Sequence, residues 1–370
     1  MNKLFTRLIQ AWDEYWFTPG SLTRLAIYRI WVFSIILIDV LVWTRGHLRY
    51  ADVDPQFYRP IYILRFFDIP APAHPWLDIV YGALAIFVFL ALIGFKTNFS
   101  AVMASGLYVY WVAQWFSFGW VHHLHPPLVF SMMVLALSPS GARLSVDHLL
   151  RRLRANHAAQ RFIPKDKTND ASPYATWPLK FVQTIIILVY FFYLGTFITM
   201  RTFLEFLWFS YPVFFNFEKI GAWVRRHISA PRGLTKFAVL FDGQCPLCIR
   251  SVTTVDFFDW RGKFVFRDVN EWEQIARDYP GLNQQKSLEE MQVTIPRPDG
   301  YEALAGFYAF RKIAQHLPLG MLVWPFLFIP GVPLIGTRVY RFIASRRKRV
   351  TGGARCSFHT CDIPMPVKMD

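Results

Sequence analysis

The stretch Trp177 to Met200 is almost wholly apolar, and it is one of several such blocks in the first part of the chain. A run of about 20 apolar residues has few homes: a bilayer or the core of a large fold. Leu25 to Trp43, Trp76 to Phe95, Phe99 to Trp120 and His122 to Leu137 are further blocks of this kind. Thr202 to Phe217 is shorter and carries Glu205 and Pro212. It reads equally as a span or as a re-entrant or interfacial segment. Of 370 residues, 54% are hydrophobic and 18% aromatic. The blocks therefore predict an α-helical polytopic membrane domain over residues 1–234, with five or six spans. Met1 to Gly20 lacks a signal-peptide cleavage pattern and reads as an amphipathic helix lying on the membrane surface.

The net charge is +15. No nucleic-acid motif accompanies that charge, so nucleic acid is not the expected partner. Lys and Arg gather in cytoplasmic loops and at anionic headgroups, which makes the lipid bilayer the simpler partner. Lys3, Arg7, Lys96, the cluster from Arg143 to Lys167, and Arg225, Arg226 and Arg232 share one side if the sixth segment crosses. That side is then the cytoplasm. The Arg45 to Pro75 loop faces outward despite its own arginines. The expectation is a multi-pass protein of a bacterial inner (cytoplasmic) membrane, its soluble domain on the cytoplasmic side. A non-crossing sixth segment would put that domain on the oxidising side.

Two polar features interrupt this half. His122, His123 and His125 sit beside Pro126 at a span boundary. Imidazoles there suit a metal or quinone site, or an interfacial cap bonded to water and backbone. The basic connector, residues 143–176, holds a helix-like stretch from Ser145 to Arg161. Arg151, Arg152 and Arg154 are expected at lipid headgroups, with a partner protein as the alternative.

From Thr235 the pattern changes. Lys236 to Phe241 reads as a buried central strand, and Asp242-Gly243 makes a turn. The helix after it opens on Cys245-Pro246-Leu247-Cys248. Pro246 suits a first helical turn, where its missing N–H costs nothing. The unsatisfied N–H groups at a helix start stabilise a thiolate, the reactive form of cysteine. Strands at Lys263 to Asp268, Met291 to Ile295 and Tyr301 to Leu304, with helices at Asn270 to Tyr279 and Gly306 to His316, complete a thioredoxin-like α/β domain over residues 235–349. Leu317 to Pro333 is apolar but broken by prolines, so it lies on the bilayer or packs on the membrane domain. Ser345 to Arg349 is a basic cluster expected at the headgroups. A cysteine-containing tail, residues 350–370, follows.

The run Phe241-Asp242-Gly243-x-Cys245-x-x-Cys248 resembles the signature of the DCC family of thiol-disulfide oxidoreductases. Pro298-Asp299-Gly300, His316-Leu317-Pro318, Pro330-Gly331-Val332-Pro333 and Tyr340-Arg341-Phe342 resemble its later layout. The resemblance implies a thioredoxin-like fold, with Asp242, Cys245 and Cys248 as motif residues. No proline precedes the third strand to face the dithiol as a cis-proline does in thioredoxins. The first half is similar to the HTTM domain, related to vitamin K-dependent gamma-carboxylases. It carries this likeness in Leu25-Ala26-Ile27-Tyr28-Arg29, His122-His123 and Ser138-Pro139. The fifth span lacks that family's catalytic lysine, and Lys180 lies at the membrane edge, so carboxylase activity is not implied.

In the redox reading Cys245, the more exposed thiol, attacks a disulfide and Cys248 resolves the mixed disulfide. Asp242 either accepts the Cys248 proton or holds the turn. That chemistry requires no cofactor. Its partner is a protein or a dithiol or disulfide substrate, with a lipid-soluble carrier in the membrane half as a further possibility. Two alternatives stay open. Cys245, Cys248, Cys356 and Cys361, with His359, could bind zinc, and Cys356 with Cys361 could relay electrons as a second dithiol. A non-enzymatic scaffold or assembly factor that binds a partner through the α/β domain is the reading from a different class.

Overall fold

The computed structural model describes residues 3–119, 125–165, 170–195, 212–215, 219, 236–297 and 300–346. The chain divides into two units: residues 1–148 with 167–224, and residues 149–166 with 225–370.

The first unit is helical. Its elements are α1 (Lys3–Phe17), α2 (Leu22–Ile38), α3 (Tyr62–Phe66), α4 (Trp76–Ile93), α5 (Thr97–Phe116), α6 (His125–Ala136), the start of α7 (Val146–Ala158), and α8 (Thr176–Gly195). A two-residue ladder pairs β1 (Gly20–Ser21) with β2 (Ala171–Ser172). Leu25, Tyr28, Val32 and Ile36 of α2 recur at helical spacing and are buried with Leu84, Val88, Tyr108, Leu128, Met132 and Leu135. Ala101 and Ala104 are fully buried on α5, and small residues there let neighbouring backbones approach. Helix starts are satisfied from far away in sequence. The Asp147 carboxylate accepts from the backbone N–H of Lys96 and of Thr97, at 2.8 and 2.7 Å. Asp170 does the same at α2, accepting from the Thr23 N–H at 3.2 Å and from the Ser21 and Thr23 hydroxyls. Each carboxylate meets the positive end of a helix dipole. Arg29, wholly buried, donates to the carbonyls of Ser140 and Leu144 at 2.9 and 2.6 Å.

Among the described residues two helical stretches are long and apolar enough to cross a membrane, Leu22–Trp43 and Trp76–Ile93. His125–Ala136 is apolar but shorter. Helices occupy the third and fifth expected blocks too. Most of the Thr202 to Phe217 segment lies outside the described residues.

The second unit is an α/β fold. Its elements are β3 (Phe237–Phe241), α9 (Pro246–Phe258), β4 (Phe264–Asp268), α10 (Trp272–Asp278), α11 (Gln284–Glu289), β5 (Gln292–Arg297), β6 (Gly300–Ala305), α12 (Gly306–His316) and α13 (Val332–Ala344). The sheet order is β4-β3-β5-β6. β3 pairs parallel with β4 and antiparallel with β5, and β5 pairs antiparallel with β6. The central strand is thus β3, as its unbroken apolar run predicts. Alternate residues of β3 feed two cores. Val239 and Phe241 join Cys245, Cys248, Val252, Val293, Ala309 and Ile313, while Leu240 joins Val269, Ile275 and Leu288. Pro296 lies in β5 beyond the residues paired with β3, where its missing N–H breaks no β3 bond. The sequence reading misses α11, which Asn283 caps by accepting from the Lys286 N–H at 3.1 Å.

The connector does not behave as one segment. Residues 149–166 cluster with the α/β unit. Arg152, expected at headgroups, instead pairs with Asp256 of α9 at 2.8 Å, both side chains largely buried. Asn156 Nδ2 donates to Thr253 Oγ1 at 2.8 Å, and Phe162 packs edge-on to Phe241. The reason is that α9 turns a polar side toward this segment, which no linear reading of the connector's charge can see.

Candidate functional site

Cys245 is the N-cap residue of α9, with extended backbone (φ −98°, ψ 112°), and Pro246 opens the helix. Cys248 follows in its first turn. Both sulfurs are thiols, and both are buried: Cys245 is 1% exposed and Cys248 5%. The sequence expectation that Cys245 is the more exposed is therefore corrected. Its side chain joins the apolar cluster of Val239, Phe241, Met291 and Val293. The helix start still lends both sulfurs its partial positive charge.

The turn before the helix is held by carboxylates. Asp242, 4% exposed, accepts from the Gln244 N–H at 3.0 Å and from Asn270 Nδ2 at 3.1 Å. These two bonds hold the turn. Asp268 and Asn270 are neighbours of this turn that sequence reasoning misses. β3 and β4 run parallel with Phe241 opposite Asp268. Asp268 Oδ1 accepts from the Gly243 N–H at 2.9 Å, the Asn270 N–H at 3.0 Å and Asn270 Nδ2 at 2.7 Å. The one available signal was an acidic residue at the end of the second parallel strand, where an α/β fold gathers its site. Gly243 is dictated by this packing: a Cβ there would clash with the Asp268 carboxylate. Gly243→Ala should thus cost about 2 kcal/mol, the loss of a charge-assisted bond. Asp268→Ala in the same chain should recover part of it. Thermal unfolding of the three variants checks this non-additivity.

Ahead of β5, where a substrate strand would dock in a thioredoxin, stand Glu289, Glu290 and Met291. The Met291 N–H donates to Tyr340 Oη at 2.9 Å, and its carbonyl accepts from the Gly306 N–H at 3.0 Å. Both backbone groups are satisfied within the fold.

His316 ends α12, stacked on Phe237 with ring centroids 4.5 Å apart. Its Nε2 is buried without a hydrogen-bond partner. Burial first, then the cations Lys312, Lys263 and Arg261, lower its pKa to about 4. The unfolded chain, with an ordinary imidazole near pH 6.5, then binds a proton that the folded one refuses. Stability is full above about pH 6.5 and falls as the pH drops toward 4. After solvent screening the loss is on the order of 1 kcal/mol. Urea unfolding at a series of pH values should show this slope, and His316→Phe should flatten it.

The helical unit holds a second polar cluster. Tyr108 Oη donates to Asp39 Oδ2 at 2.8 Å and lies 2.8 Å from His125 Nδ1. All three side chains are buried. With the phenol proton on the Asp39 side, His125 Nδ1 carries the hydrogen toward Tyr108. Trp111 Nε1 donates to Thr44 Oγ1 beside it, at 3.1 Å. The sequence offers no nearby carboxylate for the histidines; folding supplies Asp39. A lone carboxylate inside an apolar block was the available signal. His122, His123, Cys356, His359 and Cys361 lie outside the described residues. Among the described residues, no three His, Cys, Asp or Glu side chains gather as metal ligands.

The two buried thiols thus lie at a strand-to-helix junction on a four-stranded mixed sheet. Residues 239–353 match the family model described as DCC1-like thiol-disulfide oxidoreductase. No curated protein and no solved structure matches the chain.

Proposed function

We propose that the chain is a membrane-anchored thiol-disulfide oxidoreductase that works through Cys245 and Cys248. The observation that carries this reading is the pair of thiols at the start of α9 inside the DCC1-like match. The β4-β3-β5-β6 sheet supports a thioredoxin-like domain. Cys245 as thiolate attacks one sulfur of a substrate disulfide. A mixed disulfide forms, and the other substrate sulfur leaves as a thiolate. Cys248, deprotonated, then attacks Cys245 Sγ, closing the intramolecular disulfide and releasing the second thiolate. Two electrons pass to the substrate, and the two thiol protons follow; the reverse sequence oxidises a dithiol. Asp242, Asp268 and Asn270 position the turn that carries Cys245. Because both sulfurs are buried, exchange requires a local opening of this turn.

The anchor rests on the two long apolar helices, the further apolar blocks and the likeness to HTTM domains. The expected setting is a bacterial inner membrane with the dithiol on the cytoplasmic side, exchanging with a protein or a lipid-soluble carrier. A second reading, a scaffold that binds a partner through the α/β domain, draws on the buried thiols and the satisfied Met291 backbone. Redox titration of the purified chain separates the two. The enzyme shows one two-electron midpoint assigned to Cys245 and Cys248, in exchange with glutathione. The scaffold keeps its cellular role when both cysteines become serine. Labelling of intact cells with a membrane-impermeant thiol reagent reads the side.

A further inference from the structure

The α/β unit presents a surface that the redox chemistry does not use. One side of α13 is seated on the core. Tyr340 holds the Met291 N–H, Ala344 is buried, and a Cβ on Gly336 would clash with the Phe307 ring. The other side carries Ile335, Val339, Phe342 and Ile343, all exposed at i, i+4, i+7 and i+8. The 3₁₀ turns before it add Leu322 and Phe326, 71% and 63% exposed, and α13 packs on the second of these turns. Clustered exposed apolar side chains of this kind mark binding surfaces.

Charge identifies what it binds. Residues 317–349 contain no Asp or Glu, while Arg338, Arg341, Arg346, Arg347, Lys348 and Arg349 fall within them. The Arg346 guanidinium lies over the Phe342 ring at 4.0 Å, and Arg311 lies over the Phe328 ring at 4.2 Å. Cations laid along apolar side chains suit the boundary between acyl chains and phosphates.

We propose that residues 317–344 dock the α/β unit in the plane of an anionic bilayer, with Leu322, Phe326, Ile335 and Val339 among the acyl chains and the arginines at the lipid phosphates. The proposal rests on the membrane part of the function above and not on its redox part. The dithiol would then work close to the membrane surface, within reach of membrane-bound partners.

The test uses the full chain in vesicles containing phosphatidylglycerol. A ketone-reactive spin label is placed on p-acetylphenylalanine at each of the four apolar positions, leaving every cysteine intact. Phe89 on α4 and Lys286 on α11, both exposed, serve as references. Oxygen should relax the four labels more than a water-soluble nickel chelate does, as at Phe89, with the reverse at Lys286. Arg338→Gln and Arg341→Gln should each shift the docked population toward water about fivefold. Nickel dominating at the four positions, or neither reagent reaching them because protein covers them, overturns the docking. Arginine variants without effect overturn its anionic character. If Phe89 also reads as water, the anchoring reading fails with it; if Phe89 alone reads as lipid, only the docking fails. Thiol exchange measured on the same samples reports the redox reading separately.

Discussion

Cys245→Ser should reduce thiol–disulfide exchange to the uncatalysed background, while Cys248→Ser should accumulate a mixed disulfide. A serine hydroxyl does not ionise near neutral pH, so the attacking group is lost in the first variant. In the second the attacker survives and the resolving thiol is gone, so the chain stalls at the covalent intermediate. Peptide mapping after incubation with oxidised glutathione should find a glutathione adduct at Cys245 in Cys248→Ser and none at Cys248 in Cys245→Ser, whatever the tail residues Cys356 and Cys361 take up. An adduct at Cys248 in Cys245→Ser, with none at Cys245 in Cys248→Ser, would reverse the assignment of roles. Full exchange by both single variants would defeat the dithiol mechanism. Burial sets the rate: adduct formation should follow the opening of the Asp242–Cys245 turn, so Gly243→Ala, which disturbs that turn, should accelerate it.

Arg152→Ala should destabilise the α/β unit by about 3 kcal/mol, at the low end for breaking a buried ion pair. The Asp256 carboxylate keeps one donor, the Lys165 N–H at 2.9 Å, which limits the loss. Lys165 Nζ also donates to the carbonyls of Asp256 and Asp259, at 3.1 and 2.7 Å, so the segment clamps the end of the dithiol helix. The checking measurement is native-state hydrogen exchange of the α9 amides, which should speed up about a hundredfold. Arg152→Met with Asp256→Leu removes both charges and should restore most of the protection. An unchanged exchange rate in Arg152→Ala would mean that residues 149–166 are not part of this unit's stability.

That pair also shows where reading the chain in order stops. The basic connector offers Arg151, Arg152 and Arg154 as equals, and headgroups are the natural partner for all three. Only the fold sets Asp256 opposite Arg152. Asp268 and Asn270 were hidden for the same reason, since their meeting with Asp242 depends on the parallel register of β3 and β4. Asp39 and His125 are far apart in sequence and are joined through Tyr108 only once α2, α5 and α6 pack. The burial of Cys245 is invisible in the sequence because a helix start looks open until the strand beneath it and the loops beside it are in place.

What the sequence determined is local. Apolar blocks of helical length, a buried β-strand read from an unbroken run, and the Asp-Gly turn with Pro246 at a helix start all follow from short-range sterics and burial. Together they placed both cysteines at the end of a strand and the head of a helix. What the tertiary structure decided is the company those groups keep: the carboxylates that fix the turn, the clamp on α9, the buried Asp39–Tyr108–His125 cluster and the outward apolar side of α13. Each depends on contacts between residues distant in sequence, whose energy exists only after the backbone has been brought together.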